Sequence, residues 1–180
     1  MTKGILESLE GKLERCSINT ATLGHRESLQ VTVDRIARAG FGSIAPWRRE
    51  VESCDVHAIS RQIKDAGLSV SGYCRSTSIP ALSPAEFKAN VEANKKALHD
   101  AAVLEARCFV MVVGGIPVGS QDLAGARIQV RDAVAELLDT AKGIGVPLAL
   151  EPLHPVYAAN RSVLNTLGQA LQWCDDIDPD

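Results

Sequence analysis

The sequence has no long apolar segment and little clustered positive charge. Its longest apolar run, from Cys108 to Val118, contains two glycines and a proline and is too short to span a membrane. The net charge is -3, and no basic cluster stands out beyond Trp47-Arg48-Arg49. The first six residues contain no hydrophobic core of a secretion signal. We therefore expect a cytoplasmic protein that binds neither membranes nor nucleic acid.

Paired cysteines and phosphate-binding glycine motifs are also missing. The cysteine count is odd, at five, and no Cys-x-x-Cys spacing occurs. The cysteines are Cys16, Cys54, Cys74, Cys108 and Cys174. This pattern favours reduced, mostly buried thiols over a disulfide framework or a zinc site. No Gly-x-Gly-x-x-Gly or P-loop turn follows a predicted strand, so a nucleotide site lacks its usual marks.

The sequence does contain a regular alternation of strand and helix patterns. Short apolar runs predict strands at 16–22, 42–47, 69–74, 108–113 and 147–151. Apolar residues at helical spacing predict helices at 28–39, 55–66, 83–102, 122–142 and 162–174. The inward faces of the first and last helices are predicted to carry Leu29, Val33 and Ile36, and Leu164, Leu167 and Leu171. This order predicts a parallel sheet covered by helices.

Two parallel architectures compete for this pattern, a doubly wound sheet and a β/α barrel. The length of 180 residues suits a doubly wound sheet. However, polar or unusual residues follow nearly every strand, and in a barrel such residues converge on one face. A complete barrel takes about 250 residues and at least about 200. We therefore predict an α/β fold of the (β/α)8 TIM-barrel type, truncated to about five βα units, with residues 1–180 forming one incomplete barrel.

Glu151 is the first candidate for chemistry, because a charged group that ends a buried strand is costly unless it is used. It is interpreted as an acid/base or as a ligand for a divalent metal, and the alternative is a loop carboxylate paired with Arg75. A metal would need at least two further ligands. His154 lies three residues later, and the two prolines around it exclude a helix. It therefore either orients substrate from a loop or faces solvent.

Three more residues at strand ends are candidates for substrate binding. Arg75 is suited to hold a carboxylate or phosphate through its planar fork, or to form a structural ion pair. Trp47 would form an apolar wall for one face of a sugar, or pack at the rim of the barrel. His25 would bind hydroxyls or an anion, or lie in a surface turn. Gly114-Gly115 would let backbone approach a ligand closely, or form a plain turn.

Several motifs carry a resemblance to a known family. Ala21-Thr22-Leu23-Gly24 follows the first strand, and Ala39 to Arg48 and Ala66 to Arg75 span the second and third strands. Leu150-Glu151-Pro152-Leu153-His154-Pro155 ends the fifth and is the most specific of the four. With these motifs the chain resembles, over nearly its whole length, the xylose isomerase-like TIM-barrel superfamily, the sugar phosphate isomerase/epimerase group.

The resemblance implies a metal-dependent isomerase or epimerase of a sugar or sugar phosphate, acting by proton transfer next to a carbonyl. In this family a Glu at the end of strand five is a metal ligand and an acid/base, and Glu151 matches it. A divalent ion (Mn, Mg, Co or Zn) would polarise the substrate oxygens. The family's other ligands lie at strands six to eight, which this sequence does not provide, so we expect a metal only where the site is completed.

Two functional hypotheses follow from the resemblance. The chain is the N-terminal portion of such an enzyme, or it is an inactive half-barrel that acts by association. An endonuclease IV-like DNA-repair protein is a weaker option, since Trp47-Arg48 and Cys74-Arg75 stand where its histidine ligands are needed. An open barrel would also have unpaired edges on strands one and five and an uncovered apolar interior. We therefore expect self-association through the barrel edges.

Overall fold

The computed structural model describes residues 8–179, which form short parallel strands alternating with helices. The strands are β1 (Ser17–Asn19), β2 (Ser43–Ala45), β3 (Ser69–Val70), β4 (Tyr73–Cys74), β5 (Phe109–Met111) and β6 (Leu148–Leu150). The α-helices are α1 (Leu29–Arg38), α2 (Arg48–Val51), α3 (Val56–Asp65), α4 (Pro84–Val103), α5 (Leu123–Ile144) and α6 (Leu167–Ile177). Short 3-10 helices cover Leu13–Arg15, Thr20–Leu23 and Pro155–Tyr157.

The strands lie beside one another in chain order, and every pair is parallel. The order is β1-β2-β3 in one ladder and β4-β5-β6 in the next. Right-handed crossovers between sequential strands place all the helices on one side of the sheet. A doubly wound sheet would instead reverse its order and cover both faces. The predicted α/β fold of the TIM-barrel type is confirmed.

The predicted third strand is divided into β3 and β4 by one extra residue. Ser71 N–H donates to the carbonyl of Ile44, but the next bond to the same neighbour runs from Cys74 N–H to the carbonyl of Pro46. Three residues on this strand therefore face two on β2, which is the count of a β-bulge. The extra residue reverses the side-chain alternation. As a result Tyr73 joins Val70 in the core, and Cys74 points to the other face.

A continuous hydrophobic core lies between the sheet and the helices. The predicted inward residues of α1, Leu29, Val33 and Ile36, are all buried in it. Ile44 and Phe109 meet them from the strands with no exposed surface. Each such side chain contributes about 1.5–3 kcal/mol when it is removed from water. This core fixes the helices on the sheet and so orients the loops that follow each strand.

The predicted start of α4 is confirmed, with one change to its capping bonds. Ser83 Oγ accepts the N–H of Glu86 at 3.2 Å, and Pro84 occupies the first turn. In a capping box the glutamate side chain bonds back to the N-cap residue. Here Glu86 Oε2 accepts instead from the N–H of Leu82, at 3.3 Å. The helix therefore begins where the sequence predicts, while the carboxylate reaches one residue further back.

The opposite face of the sheet is partly polar, which corrects the expectation of an apolar interior. Ile18, Ile44 and Val70 point to the helices, so the residues that alternate with them face away. These include two hydroxyl pairs, Ser17–Ser71 at 2.6 Å and Ser43–Ser69 at 2.7 Å. Hydroxyl groups retain hydrogen bonds to each other and to water. The first half of the concave face is therefore hydrophilic.

The last helix begins later than predicted. Residues 162–165 are not helical, because Val163 N–H donates to the carbonyl of Gly114 and ties this segment beside β5. Thr166 then caps α6 by accepting from the N–H of Gln169. The inward residues of α6 are Ala170 and Trp173, whereas Leu167 and Leu171, predicted to be inward, are 66% and 56% exposed. Leu164 is buried, but in the segment that precedes the helix.

The five cysteines are free thiols, as predicted, but most of them are not buried. Cys74 is buried, Cys174 is exposed, and the other three are intermediate. Cys16 and Cys108 stand one residue before β1 and β5, at the open end of the sheet, where side chains are less covered. Among residues 8–179, no helix combines the length and the apolar character needed to cross a membrane.

Replacing Tyr73 by Phe should stabilise the fold or leave it unchanged. The Tyr73 side chain is fully buried, and its hydroxyl has no hydrogen-bond partner among the described residues. An unpaired buried hydroxyl costs about 1–3 kcal/mol, and the substitution removes it while the ring stays in contact with Phe109. We expect the free energy of unfolding, from urea titration, to rise by about 1 kcal/mol. A clear loss of stability would show that the hydroxyl is bonded.

We predict that the isolated chain associates through its outer strands. Within residues 8–179, β1 pairs with β2 alone and β6 with β5 alone, so each presents an open backbone edge. Unpaired edges are templates for pairing with a second chain. Size-exclusion chromatography with light scattering should give a mass above 19.2 kDa that rises with concentration. A concentration-independent monomer would contradict the prediction.

Candidate functional site

A small cavity opens where the strands end, at the face on which β/α barrels carry their active sites. Its volume is about 250 Å³. Three of the predicted site residues line it: Glu151, Arg75 and Trp47. The rest of its lining comprises Asn19, Cys74, Val110, Val112, Leu153, Tyr157 and Arg161. We call this cavity the mouth pocket.

Glu151 is placed by the last strand and keeps a free carboxylate. Its backbone N–H donates to the carbonyl of Met111 at 3.0 Å, which extends the β5–β6 ladder by one residue. Its side chain is exposed, and no described residue forms a hydrogen bond or ion pair with it. The alternative interpretation, a structural ion pair with Arg75, is therefore not realised. The carboxylate is available to a ligand in the mouth pocket.

Cys74 lies close enough to Glu151 for the two to interact electrostatically. Burial and the negative charge of Glu151, in that order, raise the pKa of the Cys74 thiol to about 11. Burial also raises the pKa of the neighbouring Cys108 thiol. Both groups are therefore protonated at neutral pH. A neutral thiol is a poor base and a poor metal ligand, so Glu151 is the basic group of this part of the pocket.

Trp47 is held rigidly at the rim by contacts on several sides. Its indole N–H donates to Oδ1 of Asn19 at 2.7 Å. The ring of His25 meets it edge-on, with centroids 5.5 Å apart. Its backbone N–H donates to Oε2 of Glu50 at 3.0 Å, and its backbone pairs with Cys74. These contacts fix an aromatic face beside the pocket. Trp47 is therefore packed at the rim, and in that position its ring can also form a wall for a sugar.

Glu50 is one of the residues that the sequence did not single out. Its buried carboxylate accepts hydrogen bonds from the Thr20 hydroxyl and the Trp47 N–H, and it lies 2.7 Å from Nδ1 of His25. It thereby joins the loop after β1 to the end of β2. The available signal was its position at the third residue of a short helix, where a glutamate bonds back to the residue before the helix.

The two predicted histidines are placed outside the mouth pocket. His25 is occupied by Glu50 and Trp47, and it lines a neighbouring cavity with Arg26 instead. His154 is exposed, and its Nδ1 accepts the N–H of Val156 at 3.2 Å, which caps the short helix that follows. Their roles in substrate binding stay predictions, with His25 in contact with a pocket residue and His154 at the loop after Glu151.

Arg161 and Tyr157 enter the pocket from the loop after β6. Arg161 N–H donates to the carbonyl of Tyr157 at 2.9 Å, and its guanidinium lies 4.8 Å from the centre of the Tyr157 ring. Tyr157 and Arg161 are four residues apart in the sequence. This spacing brings two side chains together only where the chain forms a helical turn. This loop approaches Gly115 closely, because a Cβ on Gly115 would lie 2.6 Å from the backbone of Asn160.

The described residues do not by themselves form a metal site. Within residues 8–179, no three His, Cys, Asp or Glu side chains lie together in a way that could hold an ion. Glu151 is the one carboxylate that lines the mouth pocket. A catalytic metal takes about three protein ligands. The donor set present here therefore does not fit a tightly bound metal without ligands from elsewhere.

Solved structures similar to this chain share its fold. Protein SMc04130 from Sinorhizobium meliloti 1021 is 40% identical, with a TM-score of 0.89 over 93% of this chain and 61% of its own. D-psicose 3-epimerase with D-tagatose, from Clostridium cellulolyticum H10, is 16% identical, with a TM-score of 0.76 over 90% and 59%. The IOLI protein with a bound zinc atom is 15% identical, with a TM-score of 0.73 over 90% and 58%.

The chain therefore spans about 60% of the length of these proteins. A comparison with curated proteins gives no significant match. A family model described as xylose isomerase-like TIM barrel matches residues 33–180, which include every strand end of the mouth pocket except that of β1. The resemblance found in the sequence motifs is thus confirmed: the chain belongs to the xylose isomerase-like TIM barrel family.

Proposed function

We propose that this chain contributes the active site of a sugar isomerase or epimerase in which Glu151 transfers a proton at the carbon next to a carbonyl. The observation that carries the proposal is the free carboxylate of Glu151 at the end of β6, in a pocket with an aromatic wall and a free guanidinium. The similar structures include a sugar epimerase, which supports a sugar as the substrate class. A cytoplasmic location belongs to the same proposal, because the cysteines are free.

In this proposal each side chain of the mouth pocket has one task. Trp47, fixed by Asn19 and His25, packs against the apolar face of the sugar. The Glu151 carboxylate takes the proton from the carbon, and the electron pair of that bond moves into the carbonyl to give an enediolate. Arg75 donates hydrogen bonds to substrate oxygens. Returning the proton to the neighbouring carbon, while a hydroxyl proton passes between the two substrate oxygens, gives an isomer. An epimer requires a second acid on the opposite face of the sugar, because Glu151 reaches one face only.

A divalent metal (Mn, Mg, Co or Zn) belongs to the proposal only with added ligands. Glu151 would be one of them, and the zinc bound by a similar structure supports a metal in this fold. Residues 8–179 supply no second or third ligand beside it. The missing groups must therefore come from further chain or from a second subunit. When bound, such an ion would stabilise negative charge on substrate oxygens.

A second candidate is an inactive half-barrel that acts by association. The observation that favours it is an apolar groove beside the open edge of β6, between α5 and α6. It is lined by Leu138, Val146, Leu150, Trp173 and Ile177, among others. Apolar surface at an open sheet edge favours contact with another protein surface. This candidate requires no chemistry from Glu151, which makes the two proposals separable.

Replacing Glu151 by Gln should abolish proton transfer. The measurement is deuterium uptake from heavy water at the carbon next to the carbonyl of a ketose, followed by NMR with Mn2+ in excess. Since a positioned acid/base contributes about 100-fold or more, we expect uptake to fall by at least about 100-fold. Glu14→Gln is the matched control, because Glu14 lies before β1 at the opposite end of the sheet. Equal uptake by the two variants, or none by the parent chain, would favour the half-barrel.

The chain should bind Mn2+ weakly. A single carboxylate cannot replace the several ligands of a metal centre, so we expect no micromolar binding in calorimetric titration, and little difference between the parent chain and Glu151→Gln. Micromolar binding that is lost in Glu151→Gln would contradict this expectation. It would show that another copy of the chain completes the site.

A further inference from the structure

Two arginines face the mouth pocket without an acidic partner. Arg75 follows β4, and Arg161 belongs to the loop after β6, so they reach the pocket from different strands. Among the described residues, neither guanidinium forms an ion pair, and the Arg161 guanidinium lies over the ring of Tyr157. Arg48, in the adjacent groove, differs: its Nε lies 2.6 Å from a carboxylate oxygen of Glu52.

The charge of the pocket is therefore positive despite Glu151. The side chains charged at neutral pH that line it are Arg75, Arg161 and Glu151, so one positive charge is left unbalanced. The remaining lining residues are apolar or uncharged. Uncompensated arginines that line a cavity are suited to bind a carboxylate or phosphate through paired hydrogen bonds.

Glu151 and the two arginines make different demands on a ligand, so its two ends must differ in chemistry. Glu151 must approach a carbon that bears a removable proton, whereas Arg75 and Arg161 require oxygens that carry negative charge. Stacking on Tyr157 orients the Arg161 guanidinium at little further entropic cost. A substrate with an anionic group at one end and a hydroxyketone at the other meets both requirements. A neutral sugar would offer these two guanidinium groups no charged partner.

From this arrangement we infer that the substrate is a polyhydroxylated carbonyl compound with a carboxylate or phosphate group, which Arg75 and Arg161 bind together. The inference rests on the proposed function, since it assigns the substrate class of the same pocket. Arg75 was a candidate for substrate binding from the sequence, and Arg161 is added by the structure. The two arginines are binding residues, and the transfer of the proton stays with Glu151.

The test compares three probes on the full chain by NMR titration, with the indole N–H of Trp47 as the reporter. The probes are fructose 6-phosphate, gluconate and fructose. We expect at least one anionic probe to bind about tenfold more tightly than fructose, since charge-assisted hydrogen bonds discriminate by about that factor. Preference for fructose 6-phosphate identifies phosphate as the group, and preference for gluconate identifies carboxylate.

Variants locate the effect in the pocket. Arg75→Gln and Arg161→Gln should each weaken the anionic probe about tenfold, which is more than either weakens fructose. Arg107→Gln makes the same change of charge at the opposite end of the sheet, just before β5, and should have no effect. Arg161→Lys, which keeps the charge but loses the fork, should fall between the parent chain and Arg161→Gln. Circular dichroism confirms that each variant is folded.

Three results would overturn the inference. They are equal affinity for fructose and both anions, no binding of either anion, and an equal loss of anion binding in Arg107→Gln. The proposed function is tested separately, by deuterium uptake into fructose. If deuterium uptake depends on Glu151 but neither anion binds, the proposed proton transfer would stand. The inference of an anionic substrate would then be wrong.

Discussion

The extra residue in the third strand is the constraint on which the site depends. It lies where the two ladders of the sheet meet. The strand bonds to the β2 side both before the extra residue, through Ser71 N–H, and after it, through Cys74 N–H. The extra residue also turns Tyr73 toward the helices and Cys74 toward the pocket. Without the shift, Tyr73 and Cys74 would exchange faces. The phenol would then occupy the mouth pocket and displace any ligand near Glu151.

Around this strand the structure separates groups that are satisfied from groups that are free. Glu50 is buried and fully engaged with Thr20, His25 and Trp47, and it makes the rim of the pocket rigid. Glu151 and Arg75 have no partners among the described residues, although each projects into the same cavity. A rigid rim with unpaired charges is the arrangement expected of a binding site. The hydrogen-bonded groups fix the geometry of the site, and the unpaired charged groups are available to a ligand.

The sequence predicted the alternating elements well, because α1 and α3 carry strong apolar stripes and several helices have a clear start. Asp55, Ser83 and Asp122 cap α3, α4 and α5 one residue before those helices begin. It failed for the segment before α6, where pairing with Gly114 overrode helical spacing that placed Leu164 and Leu167 on one face. Tertiary contacts of this kind leave no local pattern.

For the site, strand ends were a reliable guide and residue types were less so. Glu151, Arg75 and Trp47 were placed in one pocket because parallel strands end on one face. His25 and His154 follow strands as well, but neither lines the pocket. His25 contacts Glu50, and His154 accepts the backbone N–H of Val156. Glu50 and Arg161 escaped notice because their roles depend on contacts between loops that are distant in sequence.

The serine pairs on the concave face affect how such a sheet can be made in a cell. Ser17, Ser43, Ser69 and Ser71 offer hydroxyls where a closed barrel would pack its interior. Water can solvate this surface, so the wall of strands tolerates a period in which nothing covers it. During synthesis on the ribosome, the early βα units can therefore pack against their helices one by one while water solvates their concave side.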